Sequence, residues 1–362
     1  MKLSTYNFTK IGKISKDVST IELLERTNFI KQVSSGSFVY LHLMQQTLNN
    51  VCNIIKSELN ESCLEIGINQ LQSAELWKKT GRYDAYGDEM FKFKDRKDRD
   101  MVLAGTNEEL ITDLASQKIS SYRDLNFTWY CISNKFRDEI RTYNGLERCK
   151  EFVMMDAYSF HDNVENLTKQ YDEMKRIFCR VFERLGLNYE VKKADSGEIG
   201  GSVSEEFVID GMEVAHIFQL DDKYSKTLDC KYVDRSNAYH NVMMGCYGIG
   251  ISRLLQVIAN VKRTNNYIDW GEGVSAYQYG IMIANSDDQC QKDLGNLIYA
   301  RLKNLNRSVY LDDRNIRLGE KLNEIDVLGT FNKIIIGKKA ADGMVELKHY
   351  QGWSEIHFEK LF

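Results

Sequence analysis

Two pairs of charged residues near the middle of the chain are suited to binding a phosphorylated ligand. Arg137 and Glu139 lie two positions apart in the segment NKFRDEI, and Arg148 and Lys150 follow in LERCKEF. Alternate side chains of a β-strand point to the same side, so a strand over NKFRDEI places the guanidinium and the carboxylate on one sheet face. An arginine fork binds oxyanions bidentately and keeps its charge. The alternative is a surface ion pair, which contributes little to stability.

A glycine-rich segment later in the chain, GCYGIGISR, ends at Arg253. Glycine-rich turns between a strand and a helix can present backbone amides to phosphate. The spacing is not GxGxxG, and no acidic residue ends a strand about 20 residues further on, so a dinucleotide site is not predicted. Arg253, one turn into the following helix, indicates instead a charge that reaches a terminal phosphate. The alternative is that the glycines only allow close packing of the helix.

Other residues with reactive groups have ordinary structural explanations. His216 lies in the apolar run EVAHIFQL, where a histidine is usually a hydrogen-bonded core residue, and Cys246 is typical of a small buried side chain. The eight cysteines form no CxxC pair, and the six histidines do not join them at zinc-finger spacing. No structural metal site is therefore predicted.

The composition limits the class of protein. A chain of 362 residues with 43% hydrophobic content is long enough for two globular domains. The net charge of -4 means that a nucleic acid partner would be held by a local basic surface. The first residues, MKLSTYNFTKIGK, contain no apolar signal region, and no stretch approaches the 18 apolar residues of a membrane span. We therefore expect a cytoplasmic protein with free thiols and no membrane partner.

The hydrophobic periodicity predicts the elements that hold these residues. It predicts a helix within 14–33, a long helix from about 36 to 60, a hairpin formed by TWYCISNKFRDEI and EFVMMDAYSF, and a helix over 163–186. From about residue 275 onwards, strands and helices alternate as β-α-β-α-β, which is typical of a small separate α/β domain. The predicted domains are 1–274 and 275–362.

Several stretches resemble, in their order along the chain, the bacterial type of prolyl-tRNA synthetase, a class II aminoacyl-tRNA synthetase. They are SAELWKKTGRYDAYG, GTNEELITDL, ISSYRDL, NKFRDEIR, EFVMMDAYSFH, ADSGEIGGSVSEEF, EVAHIFQLDDKYS, MGCYGIGISR and YLDDRNIRLGEK. The helix from about 36 to 60 and the strand after it resemble motif 1, NKFRDEI through DAYSF resembles motif 2, and GIGISR resembles motif 3. The resemblance implies an α+β fold, with an antiparallel-sheet catalytic core over 1–274 and an anticodon-binding α/β domain over 275–362. It also implies a homodimer built through motif 1.

The resemblance further implies roles for individual residues. In this family the carboxylate of proline attacks the α-phosphate of ATP, with Arg137 bridging the two groups and Arg253 holding the γ-phosphate. The residues implied at ATP are Arg137, Glu139, Arg148, Glu213, His216, Gly250 and Arg253. Those implied at proline are Thr106, Glu108, Arg137, Phe152, Met154, Asp156, Tyr158, Phe207, Phe218 and Cys246. Mg²⁺ is implied by the phosphate chemistry and not by a ligand motif.

The C-terminal domain bears on the nucleic acid partner. Arg314, Arg317 and Lys321 lie in a segment that resembles the anticodon-reading surface of the family, where basic groups neutralise phosphates of proline tRNA. Without the resemblance, these residues would be interpreted as a solvated helix face.

The chain departs from the family at several positions. The family usually has histidine at Asn107, arginine at Lys150 and lysine at Met155. Between Phe207 and Gly211, where many bacterial members insert an editing domain, only Val208, Ile209 and Asp210 remain. We therefore expect weak discrimination against alanine.

Proline itself is absent from the chain, although an ordinary usage of roughly 5% predicts about 18 prolines. The positions where the family commonly carries proline are His42, Asn69, Ser73, Asp88, Asp100, Gly105, Asn126, Thr142, Gly271, Ala276, Leu318 and Phe331. A message without proline codons can be translated when prolyl-tRNA is scarce. This observation favours a backup or resistance paralogue of a housekeeping enzyme; a designed proline-free enzyme is the other explanation.

Together, these features predict a ligase that activates proline with ATP and transfers it to proline tRNA. One alternative is a synthetase-like regulator that no longer charges tRNA, although retention of Arg137 and Arg253 argues against a pure binding protein. The other is an enzyme that activates proline, or an analogue, for a different acceptor.

Overall fold

The computed structural model describes residues 1–5, 17–264, 266–349 and 352–362. The helices in these ranges are α1 (Thr20–Arg26), α2 (His42–Leu59), α3 (Ala74–Lys79), α4 (Arg82–Ala85), α5 (Glu108–Ser116), α6 (Val164–Arg184), α7 (Lys223–Thr227), α8 (Ile251–Val261), α9 (Gln289–Asn304) and α10 (Leu318–Val327). The strands are β1 (Ile30–Ser34), β2 (Ser37–Tyr40), β3 (Leu64–Glu65), β4 (Leu71–Ser73), β5 (Phe91–Lys94), β6 (Asp100–Leu103), β7 (Phe127–Phe136), β8 (Glu151–His161), β9 (Glu190–Lys193), β10 (Val203–Ile209), β11 (Met212–Asp221), β12 (Lys231–Val233), β13 (Tyr239–Asn241), β14 (Met243–Gly250), β15 (Tyr279–Ile283), β16 (Val309–Asp312), β17 (Asn332–Ile336), β18 (Met344–His349) and β19 (Gly352–His357).

The chain divides into two compact units. The central unit comprises residues 33–38 and 52–257, and the terminal unit comprises residues 1–32, 39–51 and 258–362. The predicted domain boundary between residues 274 and 275 stays a prediction. Within the described ranges, no helix is long and apolar enough to span a bilayer.

The central unit is built on a seven-stranded sheet in the order β3-β7-β8-β14-β11-β10-β9. Its neighbouring strands are antiparallel except for β3 and β7, so the predicted antiparallel core is confirmed. The amphipathic helix α6 contacts β8, β11 and β14 with its buried apolar side chains. Asn163 caps its first turn, and Gly186, with a φ of 65°, follows its last. The predicted helix over 163–186 is therefore confirmed.

A smaller sheet in the central unit leads the chain to the helix α5. Strands β4, β6 and β5 pair in that order, and the loop after β6 carries Thr106. Helix α5 begins at Glu108, and its first two residues, Glu108 and Glu109, are both fully buried. Two adjacent buried carboxylates require a compensating cation, because an unpaired charge is costly to remove from water.

The terminal unit contains a five-stranded sheet in the order β16-β15-β17-β18-β19. Strands β15, β16 and β17 are parallel and alternate with α9 and α10, which confirms the predicted β-α-β-α-β pattern. The antiparallel strands β18 and β19, which were not predicted, extend the sheet.

The N-terminal predictions need correction. The segment SFVY forms strand β2, and α2 begins only at His42 instead of at about residue 36. Gly36, with a φ of 71°, lies in the turn between β1 and β2. The first helix is also shorter than predicted, because it ends at Arg26 and Ile30 begins β1; the part before residue 17 lies outside the described residues.

Candidate functional site

A cavity of about 390 Å³ lies in the central unit beside the seven-stranded sheet. Residues of β8, β11 and β14 line it together with the segment after β7, the start of α8 and the loop 195–199. The sequence-predicted residues that line it are Thr106, Glu108, Arg137, Glu139, Arg148, Phe152, Met154, Asp156, Tyr158, Glu213, His216, Phe218, Cys246, Gly250 and Arg253. Segments separated by more than 100 positions in sequence thus meet at one site.

The strand register explains how these side chains come together. Tyr158, Cys246 and Phe218 lie side by side across β8, β14 and β11. Asp156 and His216 occupy the next row, on either side of Gly248. Paired residues of neighbouring strands project to the same face, so the two rows form one continuous surface.

The glycines of GCYGIG lie within strand β14 and not in a turn, so they do not form a loop that wraps a phosphate. A side chain at Gly248 would collide with that of Met154, which itself lines the cavity. A side chain at this position would therefore require the end of the Met154 side chain to move.

Glu108 lies at one end of the cavity in a dense set of polar contacts. Its Oε2 accepts hydrogen bonds from Thr106 Oγ1 at 2.7 Å and from Arg82 Nη1 at 3.0 Å. Its Oε1 accepts the Cys246 thiol at 3.3 Å. Burial alone would raise the pKa of Glu108, but Arg82 and Thr106 more than offset it and hold that pKa below its usual value. The carboxylate is thus kept ionised.

Asp156 adds a second buried carboxylate to the cavity wall. Its Oδ2 accepts hydrogen bonds from Asn107 Nδ2 at 3.0 Å and pairs with Lys135 Nζ at 2.9 Å. Its Oδ1 is buried and has no hydrogen-bond partner among the described residues. A buried polar atom without a partner is rare, and here it belongs to a residue that lines the cavity.

Arg137 follows the end of β7, and its position corrects one sequence prediction. Strand β7 ends at Phe136, and the N–H of Glu139 donates to the carbonyl of Arg137 at 2.8 Å, so the two residues do not share a strand face. Both side chains nevertheless line the cavity. Arg137 Nη2 donates to the Gly105 carbonyl at 3.3 Å, and its guanidinium lies 5.3 Å from the ring centre of Phe152.

Arg253 lies in the first turn of α8 and is held by two backbone carbonyls. Its Nε donates to Glu147 O at 2.9 Å and its Nη1 to Glu213 O at 2.7 Å. Arg148, on the loop before β8, is paired with Glu139 at 3.7 Å. Arg137, Arg148 and Arg253 therefore line the same cavity, an arrangement that suits an extended polyphosphate.

His216 is neither solvent-exposed nor a simple core residue. Its Nε2 and the hydroxyl of Ser204 are 2.6 Å apart, and its Nδ1 lies 3.1 Å from Glu213 Oε1. The hydrogen bond with His216 lowers the pKa of Glu213. The imidazole stacks on the ring of Phe218 at 4.0 Å between ring centres, so it presents a flat surface inside the cavity.

Phe207 does not line the cavity, contrary to the sequence prediction. It is fully buried among the rings of Phe178, Phe182 and Tyr189, two of which belong to α6. Strand β10 has an irregular register between Phe207 and Val208. The aromatic side chain therefore packs beneath the sheet and shapes the core.

Sequence reasoning missed several residues of the site, among them Arg82 in the cavity wall and Lys135, the partner of the cavity residue Asp156. Arg82, on α4, belongs to the family-like stretch SAELWKKTGRYDAYG, but no role was assigned to it. Lys135 is fully buried within β7, where it pairs with Asp156. The pair Glu108 and Glu109 could have indicated the need for a buried cation, but not which residue supplies it.

The three departures from the family have different surroundings. Asn107 is fully buried and links Gln72 to Asp156 through its amide group. Lys150 forms an ion pair with Asp138. Met155 is buried and alternates along β8 with the two cavity residues on either side of it, so its side chain points away from the site.

The basic residues predicted to bind tRNA belong to the terminal unit, and two of them are already engaged. Lys321 is 1% exposed, and its ammonium donates to Ile283 O at 2.7 Å and to Asp312 O at 3.3 Å. Arg314 forms ion pairs with Asp312 at 2.7 Å and Glu324 at 2.6 Å. The interpretation of Lys321 as part of a solvated face is therefore wrong, because it joins the ends of β15 and β16 to α10.

Arg317 is different, since it is exposed at the start of α10. It lines a second, open depression together with Asn285, Ser286, Asn315 and Glu320. Of the three predicted residues, it is the one whose charge faces solvent.

The chain matches two family models. The tRNA synthetase class II core domain (G, H, P, S and T) matches residues 91–262, and the anticodon binding domain matches residues 278–361. Among solved structures, prolyl-tRNA synthetase from Giardia lamblia in complex with prolyl-adenylate has a TM-score of 0.86 at 17% identity, covering 98% of this chain and 78% of that one. The enzyme from Cryptosporidium parvum complexed with halofuginone and AMPPNP has a TM-score of 0.83 at 16% identity, covering 94% and 73%. These structures support the fold.

Curated relatives are more similar in sequence. The proline–tRNA ligase of Ehrlichia ruminantium (strain Gardel) is 33% identical over 407 residues, covering 96% of this chain and 95% of that protein. The proline–tRNA ligases of Anaplasma phagocytophilum (strain HZ) and a strain of Rhizobium etli are 35% and 34% identical with the same coverage. Since the match extends over nearly the whole of both proteins, this chain belongs to the proline–tRNA ligase family of class II aminoacyl-tRNA synthetases.

Proposed function

We propose that this protein activates proline with ATP and transfers the prolyl group to proline tRNA. The observation that carries the proposal is the set of charged side chains that meet in one cavity: Glu108 and Asp156 are buried carboxylates, and Arg137, Arg148 and Arg253 supply cationic groups. An amino acid with a secondary ammonium and a nucleotide triphosphate require this combination. The ligands bound in the structural neighbours, prolyl-adenylate and AMPPNP, support the same assignment.

At the proline end, Glu108 Oε1 accepts a hydrogen bond from the secondary ammonium, and Thr106 supports the same carboxylate. The apolar and aromatic side chains that shape a slot for the ring are Met154, Tyr158, Phe218 and Cys246. Burial raises the pKa of the Cys246 thiol well above its usual value, so the sulfur remains a neutral group.

At the nucleotide end, the arginines position the two substrates and neutralise the charge of the phosphates. Arg137 holds the carboxylate of proline against the α-phosphate, and Arg253 holds the γ-phosphate. A carboxylate oxygen forms a bond to the α-phosphorus as the bond to pyrophosphate breaks, and no general base is needed because the nucleophile is already an anion. Preorganised cations that match charge developing in the transition state are an efficient form of catalysis. Glu139, Arg148, Glu213, His216 and Gly250 form the remaining surface for the nucleotide.

Mg²⁺ fits this site only as a companion of the nucleotide. Among the described residues there is no group of three or more His, Cys, Asp or Glu side chains that could hold a metal ion. Mg²⁺ commonly binds through one or two carboxylates and substrate phosphates, and Glu139 and Glu213 are two of the acidic side chains that line the cavity. When bound, the ion would neutralise phosphate charge.

For tRNA, Arg317 is the predicted residue best placed to neutralise a phosphate. Arg314 and Lys321 act instead on the local structure, through the contacts described above. Binding of tRNA through Arg317 should weaken with rising salt.

A homodimer is supported by exposed apolar side chains near the segment that resembles motif 1. Leu64 in β3 is 64% exposed. The sheet of β4, β6 and β5 exposes Leu71 and Phe93 on the face that also carries Leu103. Contiguous apolar surface on a protein indicates an interaction site. The eight thiols, all free, support a cytoplasmic location.

Exchange of pyrophosphate into ATP tests the activation step. The purified protein should catalyse exchange that depends on proline, with weaker activity on alanine and on four- and six-membered-ring analogues of proline. No exchange with any of these amino acids would overturn the proposal.

The physiological setting that we propose is that of a backup or resistance enzyme. The absence of proline codons would let the cell make this protein while prolyl-tRNA is scarce, and the protein would then restore the supply.

A further inference from the structure

We infer that Arg82 is a positioning residue for proline recognition, which fixes the orientation and the charge of Glu108 without contacting the substrate. This inference rests on the proposed function. It concerns a residue outside the three synthetase motifs described above.

The guanidinium of Arg82 contacts both Glu108 and Glu109. Arg82 Nη1 donates to Glu108 Oε2 at 3.0 Å and contacts both carboxylate oxygens of Glu109 at 3.1 and 3.2 Å. The three side chains are almost entirely buried, with exposures of 3%, 0% and 0%. Hydrogen bonds between ionised groups in such surroundings are strong and directional.

The two carboxylate oxygens of Glu108 have different hydrogen-bond partners. Arg82 and Thr106 both bind Oε2 of Glu108, which leaves Oε1 facing the weak donor Cys246. A thiol is easily displaced by an ammonium as a hydrogen-bond donor. The contacts of Arg82 thus direct the available oxygen towards the cavity.

The charges of Arg82, Glu108 and Glu109 do not balance when all three groups are ionised. Arg82 carries one positive charge, whereas Glu108 and Glu109 together carry two negative charges when both are ionised. Burial raises the pKa of Glu109, and the neighbouring Glu108 adds to this rise, while Arg82 opposes it. Glu109 also accepts a hydrogen bond from Thr80 and is absent from the cavity wall. Of the two carboxylates, Glu108 is therefore the one that meets the substrate.

Three aromatic rings surround the guanidinium of Arg82 and hold it in place. Its central carbon lies 5.2 Å from the ring of Trp77, 5.7 Å from that of Tyr86 and 5.6 Å from that of Tyr224. The hydroxyl of Tyr224 also donates to the carbonyl of Ile199, in the loop that lines the cavity. Aromatic faces stabilise a cation and limit its movement.

Two substitutions and two ligands separate this role from a general structural one. Arg82→Gln removes the charge, and Arg82→Lys keeps it but removes the fork. We expect Arg82→Gln to raise the KM for proline roughly 10- to 100-fold, with the KM for ATP changed by less than about twofold. Arg82→Lys should lie between the wild type and Arg82→Gln.

L-prolinol shows which part of the substrate is affected, because it keeps the ring ammonium and lacks the carboxylate. If Arg82 acts through Glu108, the inhibition constant of L-prolinol rises by the same factor as the KM for proline. An unchanged inhibition constant would mean that Arg82 binds the carboxylate directly, and would overturn the inference. An equal rise in the KM for ATP would also overturn it, by indicating a general defect.

Glu109→Gln is the matched control, since it removes a neighbouring carboxylate of the same cluster. We expect a KM for proline within about threefold of the wild type, and partial recovery when it is combined with Arg82→Gln. An effect of Glu109→Gln alone as large as that of Arg82→Gln would contradict the inference. If Arg82→Gln does not fold, the same three constants are compared for Arg82→Lys and the wild type: the KM for proline, the KM for ATP and the inhibition constant of L-prolinol.

The pH dependence gives an independent measurement. Without Arg82, burial is less well opposed, so the pKa of Glu108 should rise and kcat/KM for proline should fall at acidic pH where the wild type is still active. The ionisable groups around Glu108 are Arg82, Tyr86, Glu109, Asp156, Tyr158, Lys223, Tyr224 and Cys246. If kcat/KM for proline falls at the same acidic pH in the wild type and in Arg82→Gln, the inference is contradicted. Lack of proline-dependent exchange in the wild-type protein would instead contradict the proposed function itself.

Discussion

Ionisable side chains buried in the central unit are stabilised in two different ways. Glu108 and Asp156 have cationic partners, Arg82 and Lys135, whereas the hydrogen-bond partner of His161, at the end of β8, is the neutral amide of Asn126. His161 is 3% exposed, and its Nδ1 lies 3.1 Å from the amide oxygen of Asn126. Burial lowers its pKa to about 4. Among these groups, the histidine is therefore the one that links folding to mildly acidic pH.

We expect His161 to make the protein less stable as the pH falls. In the unfolded chain it takes up a proton near pH 6.5, but in the folded protein only near pH 4, so the stabilisation is complete above pH 6.5 and is lost towards pH 4. A shift of this size corresponds to about 3 kcal/mol. Urea unfolding of wild type and His161→Gln between pH 7 and 4 measures it, with His240→Gln in an exposed hairpin as the control. Equal acid sensitivity of wild type and His161→Gln would contradict the prediction.

At this scale, nearly all the residues that the family resemblance assigned to the ATP and proline sites do line the cavity, because their motifs are local in sequence. The resemblance could not exclude Phe207, because the rings that bury it, Phe178 and Phe182, belong to a different element, α6. It also could not show that Lys321 is buried, because burial of a lysine depends on carbonyl groups from distant strands. Arg82 and Lys135 were missed for the same reason: their partners lie far away along the chain.

The hairpin of β10 and β11 closes the place where many relatives carry an editing domain. Asp210 and Gly211 form its two-residue connection, and both have positive φ values, of 51° and 76°. This combination is typical of a type I′ turn, which matches the twist of antiparallel strands. The strands β10 and β11 therefore continue directly into each other.

The protein should lack hydrolytic activity towards alanyl-tRNA. Discrimination between proline and alanine would then depend on the pocket, where each methylene contributes roughly 10- to 200-fold. Purified protein mixed with alanyl-tRNA specific for proline codons should leave the ester intact at the rate seen in buffer alone. Rapid deacylation would show that an editing site exists elsewhere.

Arg317, which immediately precedes helix α10, and Lys321 within it have opposite expected effects when they are substituted. Arg317→Ala should weaken tRNA binding and reduce its dependence on salt, with little change in stability, because the side chain is exposed. Lys321→Ala should destabilise the terminal unit by roughly 1–3 kcal/mol, because it leaves buried carbonyl groups without a donor. Filter binding measures the affinity for tRNA, and thermal unfolding measures the stability of the terminal unit. Lower stability of Arg317→Ala together with unchanged stability of Lys321→Ala would contradict the roles given to these residues.

Periodicity and turn residues predicted α6, the hairpin of β7 and β8, and the alternating elements of the terminal unit. The start of α2 was misplaced because SFVY continues the apolar pattern of the helix, although Gly36 forms a turn before it. Whether a short apolar run extends a helix or pairs as a strand depends on a partner that the local sequence does not reveal.

The absence of proline concerns the molecule as a whole. His42 and Leu318 are the first residues of α2 and α10, where proline is well tolerated. Asn126 and Gly271 have φ values of 65° and 80°, which proline cannot adopt. At some of these family positions the backbone would accept proline, and at others it has a conformation that excludes it.

We expect synthesis of this protein to continue when prolyl-tRNA is depleted. The test compares the chain with a Leu318→Pro variant in cells whose housekeeping enzyme is inhibited. Both versions carry Arg253→Ala, so that neither can make prolyl-tRNA. Pulse labelling should show continued synthesis of the proline-free chain and arrest of the variant. Arrest of both at the same rate would contradict the backup hypothesis.

Charging of tRNA tests the central claim most directly, because it requires activation, transfer and recognition of the nucleic acid together. The purified protein, ATP and labelled proline are mixed with a proline tRNA transcript, and a transcript with altered anticodon bases serves as the control. We predict acid-precipitable prolyl-tRNA with the first transcript and much less with the second. Proline-dependent pyrophosphate exchange without any charged tRNA would contradict the account and indicate a different acceptor for the activated proline.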